Sequence, residues 1–156
     1  MRLCIAAVGR LKPGPEQTLI TKFARRLDAT GRPLALGPMD LHELDERKVK
    51  DSKAQSARLI ERIAPGSVAV ALDERGKTLG SPDLAKLIER TRDAGSDEML
   101  FLIGGADGHT KALRERADHL VSFGPMVWPH MLARVMIAEQ LYRAVSILAG
   151  SPYHRA

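Results

Sequence analysis

The chain has a single cysteine, Cys4, among its 156 residues. One cysteine cannot form an intramolecular disulfide, so the fold must hold without a covalent staple. The stretch Met1–Gly9 is too short for a secretory leader and reads as a strand. Both features are expected of a protein kept in a reducing cytoplasm. Cys4 sits inside that apolar run and reads as an inert core residue, not a nucleophile. No apolar stretch approaches the roughly 18 residues that a membrane-crossing helix needs, so no membrane partner is expected.

Aromatics are also scarce, at 4%. Four of the six, Phe123, Trp128, Tyr142 and Tyr153, fall in the last 34 positions. A stacking surface would belong there, although the C-terminal third could simply hold more of the core. The five histidines (His42, His109, His119, His130, His154) show no i,i+4 pairing, so no metal is expected. There is no G-x-S-x-G sequence to carry a serine nucleophile.

What is present fits one globular domain spanning 1–156. Hydrophobic residues make up 44% and charged residues 28%, and a chain of this length buries roughly 68–70% of its unfolded surface. Basic residues outnumber acidic ones 24 to 19, a net +5. That excess permits a polyanionic partner without demanding one.

Strand and helix patterns alternate. Arg2–Val8 reads as a buried strand and Glu16–Ala29 as an amphipathic helix. Pro33–Met39 is expected to be a short or edge strand, because Gly37-Pro38 interrupts it. The polar stretch Asp40–Asp51 reads as a loop or a helix start, and Asp51 or Ser52 can cap a helix running to Ala64. Ser67–Leu72 reads as a strand followed by a polar turn, Asp73–Lys77. Ser81-Pro82-Asp83 starts a helix, with Ser81 as its expected cap. Met99–Ile103 is a strand, Thr110–Arg116 a short helix and His119–Phe123 a last strand. A final helix runs from about Pro129 to Ala149. Five strands separated by helices imply an α/β fold with a mostly parallel sheet flanked by helices.

Two strand-to-helix loops stand where such sheets bind ligands. One is Gly104-Gly105-Ala106-Asp107-Gly108, either a ligand cradle or an ordinary tight turn. Its spacing is not G-x-G-x-x-G. No acid follows about 20 residues later to hold a ribose, which disfavours a dinucleotide-binding oxidoreductase. The other loop, Gly124–Pro129, is fixed by two prolines and a glycine and offers free backbone groups. The two loops could wall one pocket.

The final helix carries apolar side chains on all sides, among them Leu132, Val135, Met136, Ile137 and Leu141. Such a helix is buried all round, which a domain of this size achieves with a second subunit. Glu139 and Arg143 form an i,i+4 pair on it, either a plain ion pair or a functional one. The tail Tyr153-His154-Arg155 sets a ring, an imidazole and a guanidinium in a row.

Several pieces together carry a resemblance. They are Leu72-Asp73 with Gly76-Lys77, Ser81 and Leu84-Ala85, and Phe101-Leu102-Ile103-Gly104-Gly105-Ala106-Asp107-Gly108. They continue with Pro129-His130, Arg134, Glu139-Gln140-Leu141-Tyr142-Arg143-Ala144 and Pro152-Tyr153-His154-Arg155. In this order, from Leu3 to the tail, the chain resembles the RlmH family of SPOUT methyltransferases. The resemblance implies a C-terminal trefoil knot, a homodimer and S-adenosylmethionine as cofactor. It implies methylation of N3 of a pseudouridine in helix 69 of large-subunit ribosomal RNA, with the assembled ribosome as the expected partner.

The family's cofactor positions carry over to Leu72, Gly104, Gly105, Phe123, Gly124, Pro125, Met126, Val127 and Trp128. Its catalytic positions carry over to Glu139, Arg143, Tyr153 and His154, and its substrate positions to His130, Tyr153 and Arg155. The family commonly has S-L-S-x-x-T before Pro-His, where this chain places Gly124 and Val127 for two of those hydroxyls. Cofactor contacts there are then expected from backbone groups. A non-catalytic RNA-binding or ribosome-assembly module on the same fold is the alternative, and the basic stretch Lys22–Arg26 would suit it.

Overall fold

The computed structural model describes residues 1–155. In chain order the elements are β1 (Arg2–Val8), α1 (Pro15–Gly31), β2 (Met39–Leu44), α2 (Ser52–Glu61), β3 (Ser67–Thr78), α3 (Ser81–Asp93), β4 (Glu98–Ile103), α4 (Lys111–Arg116), β5 (His119–Ser122) and α5 (His130–Leu148). A 3-10 turn, Arg32–Leu34, follows α1. The strands form one sheet in the order β2-β1-β4-β3-β5, and every pairing is parallel. All five strands therefore end on the same edge, and the loops leaving that edge lie side by side.

Period-2 alternation divides the core into two layers. Leu3, Ile5 and Ala7 of β1 face Ile20 and Leu27 of α1, Leu84 and Ile88 of α3, and Ile137 and Leu141 of α5. Cys4, Ala6 and Val8 face Leu59 of α2 and Leu113 of α4. The central strands β1 and β4 are buried on both faces, which is why they are near-continuous apolar runs.

The second strand lies later than the periodicity placed it. Residues 33–38 make the 3-10 turn and a bend with Ala35 at φ 54° and Gly37 at φ 99°. The strand is Met39–Leu44, which shares only Met39 with the expected strand and otherwise lies in the stretch expected to be a loop or helix start. Its polarity misled because β2 is an edge strand. Asp40, His42 and Glu43 are spared full burial there, while Met39 still packs into the core.

The expected polar turn Asp73–Lys77 also belongs to a strand. β3 continues to Thr78, with a bulge in its pairing to β5. Leu72 and Lys77 both stand opposite Val121, so the four residues between them are an insertion in the ladder, and Gly76 at its end still runs against Leu120 and Val121. At α3 the cap is Gly80, not Ser81. The Ser81 hydroxyl instead donates to Gln140 Oε1 of α5 at 2.7 Å. The cap of α2 is as expected, Asp51 Oδ1 accepting from the Ala54 N–H at 2.7 Å.

The final helix is buried on one face within the chain. Arg134, Ile137, Ala138, Leu141, Ala144 and Val145 are covered, while Leu132 is 42% exposed and Val135 and Met136 are half-buried.

Candidate functional site

At the strand-end edge, the inserted stretch of β3 and the loops after β4 and β5 enclose a crevice of about 210 Å³. All the positions expected to meet a cofactor line it: Leu72, Gly104, Gly105 and Phe123 through Trp128, with His130 at its side. The two strand-to-helix loops thus do form walls of one pocket.

The Gly104–Gly108 loop closes on itself, with the Gly108 N–H donating to the Gly105 carbonyl at 3.0 Å. A Cβ at Gly104 would lie 3.0 Å from the Gly108 carbonyl carbon and 3.2 Å from His109 Nδ1, so the turn needs glycine there. Gly124 is at φ +99°. Its N–H donates to Ser122 Oγ at 3.1 Å, and that hydroxyl donates back to the Gly124 carbonyl at 3.3 Å. The next residues are exposed, Met126 by 69% and Val127 by 93%. The one tryptophan, Trp128, stands at the crevice wall.

Sequence reasoning missed three neighbours of the crevice. Asp73 lines it, with Arg75 at 3.3 Å and Arg114 at 3.7 Å from its carboxylate. Ala133 lines it from α5. His109 is buried behind Gly104, one of its ring nitrogens, Nε2, 3.1 Å from the Leu102 carbonyl. A carbonyl can only accept, so Nε2 carries the proton and Nδ1 is left as a buried acceptor with no protein partner. Burial holds this imidazole below its ordinary pKa, in the neutral form that the geometry requires. Its position directly after the glycine loop was the available signal.

The tail residues gather elsewhere, around one carboxylate. Glu139 Oε1 accepts from Arg143 Nε at 3.0 Å, from Arg143 Nη2 at 2.5 Å and from the Tyr153 hydroxyl at 2.9 Å. Glu139 Oε2 accepts from Gln140 Nε2 at 2.8 Å. Arg143 Nη1 lies 3.4 Å from His154 Nδ1, and only the arginine can donate in that contact. The hydrogen bonds that Arg143 donates to Glu139 raise the pKa of the arginine. Burial, then the bond to Glu139, raises that of Tyr153. The Tyr153 ring packs 4.5 Å from Tyr142 and 4.9 Å from the Arg143 guanidinium carbon. Arg155 is exposed.

Within one chain these two groups do not meet. Glu139 lies nine residues after His130 on α5, about 13 Å along the axis at ~1.5 Å per residue. Between them opens a cavity of about 590 Å³, lined by Leu19, Phe23, Leu79, Phe123, Val135 and Met136, with Glu139 and Gln140 at its rim. It is mainly apolar. The converging glycine loops place the candidate site in the smaller crevice.

Comparison with known proteins follows this architecture. A protein named ribosomal RNA large subunit methyltransferase H, from Dinoroseobacter shibae, is 55% identical over 156 residues, covering 99% of both chains. One of the same name from Cereibacter sphaeroides is 55% identical over 155 residues, again 99% of each. The crystal structure of a probable methyltransferase from Bordetella pertussis Tohama I has a similar fold, with a TM-score of 0.56 at 18% identity over 92% of this chain and 94% of that one. The family model described as "Predicted SPOUT methyltransferase" matches residues 1–154, which takes in every strand, both loops and the tail as far as His154, and the chain belongs to that family.

Proposed function

We propose that the chain methylates N3 of a pseudouridine in helix 69 of large-subunit ribosomal RNA, using S-adenosylmethionine and acting in the cytoplasm on the assembled ribosome. The observation that carries this reading is the crevice between β3 and the loops after β4 and β5, set in a chain whose full-length relatives are named for ribosomal RNA methylation.

The crevice suits the cofactor. It presents bare backbone at Gly104 and Gly105 and apolar walls at Leu72, Phe123 and Trp128. The absent hydroxyls at Gly124 and Val127 leave the contacts there to main-chain groups. When bound, the cofactor supplies a methyl group on a positively charged sulfonium. The protein's task is to hold the base within about 3–3.5 Å of that methyl and to take up the N3 proton.

His154 is the proposed proton acceptor. Its Nδ1 lone pair faces Arg143 Nη1, so that guanidinium must turn away for the nitrogen to receive a proton. Arg143 then becomes free to stabilise negative charge on the ring carbonyls. Glu139 holds Arg143 and Tyr153 in place, while Arg155 and His130 contact the RNA. The trefoil knot belongs to the same reading. Its support is the family model that matches residues 1–154.

The reading also requires a homodimer. The tail cluster lies too far along α5 to serve its own crevice, and a second chain packed on the half-exposed face of α5 would bring its own tail to it. One experiment tests the whole reading. Titration with S-adenosylmethionine should change Trp128 fluorescence, and ribosomes lacking the modification should gain one methyl on the helix 69 pseudouridine, detected by mass spectrometry of nuclease fragments. Cofactor binding without methylation would favour a catalytically silent binding protein. No cofactor binding would overturn the reading.

A further inference from the structure

The strand-end edge extends beyond the cofactor loops. The loop after β1 carries Arg10 and Lys12, and the loop after β2 with the first turn of α2 carries Lys48, Lys50 and Lys53. All five are exposed. None takes part in an ion pair among the described residues.

The carboxylates of the same segments are turned to internal work. Glu43 accepts from the Leu11 N–H at 2.5 Å and lies 3.6 Å from the buried Arg134. Asp45 binds Arg47, whose hydrogen bonds hold its pKa down to about 2. Asp51 caps α2. Glu46 is turned back on the β1 loop, its Oε2 3.1 Å from where a Cβ on Gly9 would stand. Glu46 and Asp51 stay exposed, but Arg10, Lys12, Arg47, Lys48, Lys50 and Lys53 outnumber them, so the exposed charge of these segments is net positive.

These loops are tied to the crevice. Gln55 donates from Nε2 to the Val49 carbonyl at 3.0 Å, between Lys48 and Lys50. Its other amide atom, Oε1, stands 2.8 Å from where a Cβ on Gly105 would be, so the side chain lies flat against the cofactor loop. Val8, at the root of the β1 loop, touches the same position at 3.4 Å. One residue further along α2, Ser56 Oγ accepts from the Thr110 N–H at 3.1 Å. The Lys22–Arg26 stripe, by contrast, lies two to three turns down α1 from this edge.

We propose that Arg10, Lys12, Lys48, Lys50 and Lys53 form a phosphate-binding rim that holds the backbone of the substrate RNA beside the crevice. The inference rests on the proposed RNA methylation. Lysine and arginine on firmly held loops neutralise phosphates, fix the register of the RNA and leave base selection to the crevice and tail.

The test uses the full-length Lys48→Ala/Lys50→Ala/Lys53→Ala variant with unmethylated ribosomes. Its cofactor affinity should stay within about twofold of wild type, since none of the three lines the crevice. Its KM for ribosomes should rise at least tenfold with kcat retained. The slope of log affinity against log salt should become shallower by about 2–3, at ~0.7–0.9 per lost phosphate contact. An unchanged salt slope would overturn the rim. A second variant, Lys50→Cys, carries one accessible thiol, because Cys4 is fully buried. A photo-crosslinker on it should attach to ribosomal RNA, and attachment only to ribosomal protein would overturn the RNA assignment. If wild-type protein methylates no ribosomes, the underlying reading fails and the rim falls with it. If wild type methylates and both variants behave like it, only the rim fails.

Discussion

Tyr153 donates its hydroxyl to Glu139 Oε1 at 2.9 Å, joining the end of the chain to the middle of α5. The bond makes the tail part of the folded structure, because the ring behind that hydroxyl is packed on Tyr142. Tyr153→Phe keeps the ring and removes the bond. Stability should fall by about 1–2 kcal/mol, the range for a partly exposed bond to a charged group. Thermal unfolding and cofactor titration on one preparation check this, with cofactor affinity unchanged.

His154→Ala removes the proposed proton acceptor and leaves the Glu139–Arg143 pair in place. The single-turnover methylation rate should drop by about 10²–10⁴, the usual loss with a general base, while cofactor affinity holds. A wild-type rate in this variant would remove His154 from the chemistry.

Val135 and Met136 lie on the face of α5 that the chain leaves half-covered. Val135→Asp/Met136→Asp places two charges there. Light scattering should find wild type as a dimer and the variant at 17.1 kDa, with native circular dichroism and no methyl transfer. A monomeric wild type would remove the dimer from the proposed mechanism.

Two glycines near the crevice should respond differently to alanine. At Gly76 the new Cβ would stand 2.5 Å from the Val121 nitrogen and 2.6 Å from the Leu120 carbonyl carbon, both main-chain atoms that cannot turn aside. Gly76→Ala should part β3 from β5, cost at least ~1–3 kcal/mol and abolish cofactor binding. At Gly108 the φ of +69° is unfavourable for alanine, but the space is empty. Gly108→Ala should cost about 1–2 kcal/mol and leave the strand pairing intact. Hydrogen exchange at Val121, with denaturant titration, separates the two cases.

Cys4 and Glu98 make stability depend on pH at both ends. Burial, then the hydrogen bond to Glu98, pushes the Cys4 thiol up to about 12. The unfolded thiol ionises near 9, so between about pH 9 and 12 the folded state holds the extra proton and stability falls as pH rises. Burial alone would raise the Glu98 pKa, but hydrogen bonds from Cys4, Arg62 and Ser67 hold it below the ordinary carboxylate value. Its contribution is therefore present above the unfolded pKa and lost as pH falls through the folded one. Cys4→Ala should flatten the alkaline fall in chemical denaturation. In native wild type the thiol should stay unreactive toward disulfide reagents at pH 8.

The sequence by itself determined the elements whose signals are local. β1 and β4 are apolar runs because both faces are covered, and α2 begins at Asp51, one of the two caps legible in place. The two strand-to-helix loops that line the crevice were legible too, since a strand ending in glycines before a helix is a local pattern. The motifs carried the family. Tertiary structure alone decided the rest. β2 was misplaced because an edge strand tolerates Asp40, His42 and Glu43 short of full burial, and only pairing with β1 reveals it. The run Asp73–Gly76 reads as a turn until β5 pairs on both sides of it. The partnerless nitrogen of His109, and the separation of the Glu139 cluster from the crevice along α5, depend on which side chains meet across the sheet. Periodicity gives the face of an element but not its neighbour, because long-range contacts are fixed only when the whole core closes.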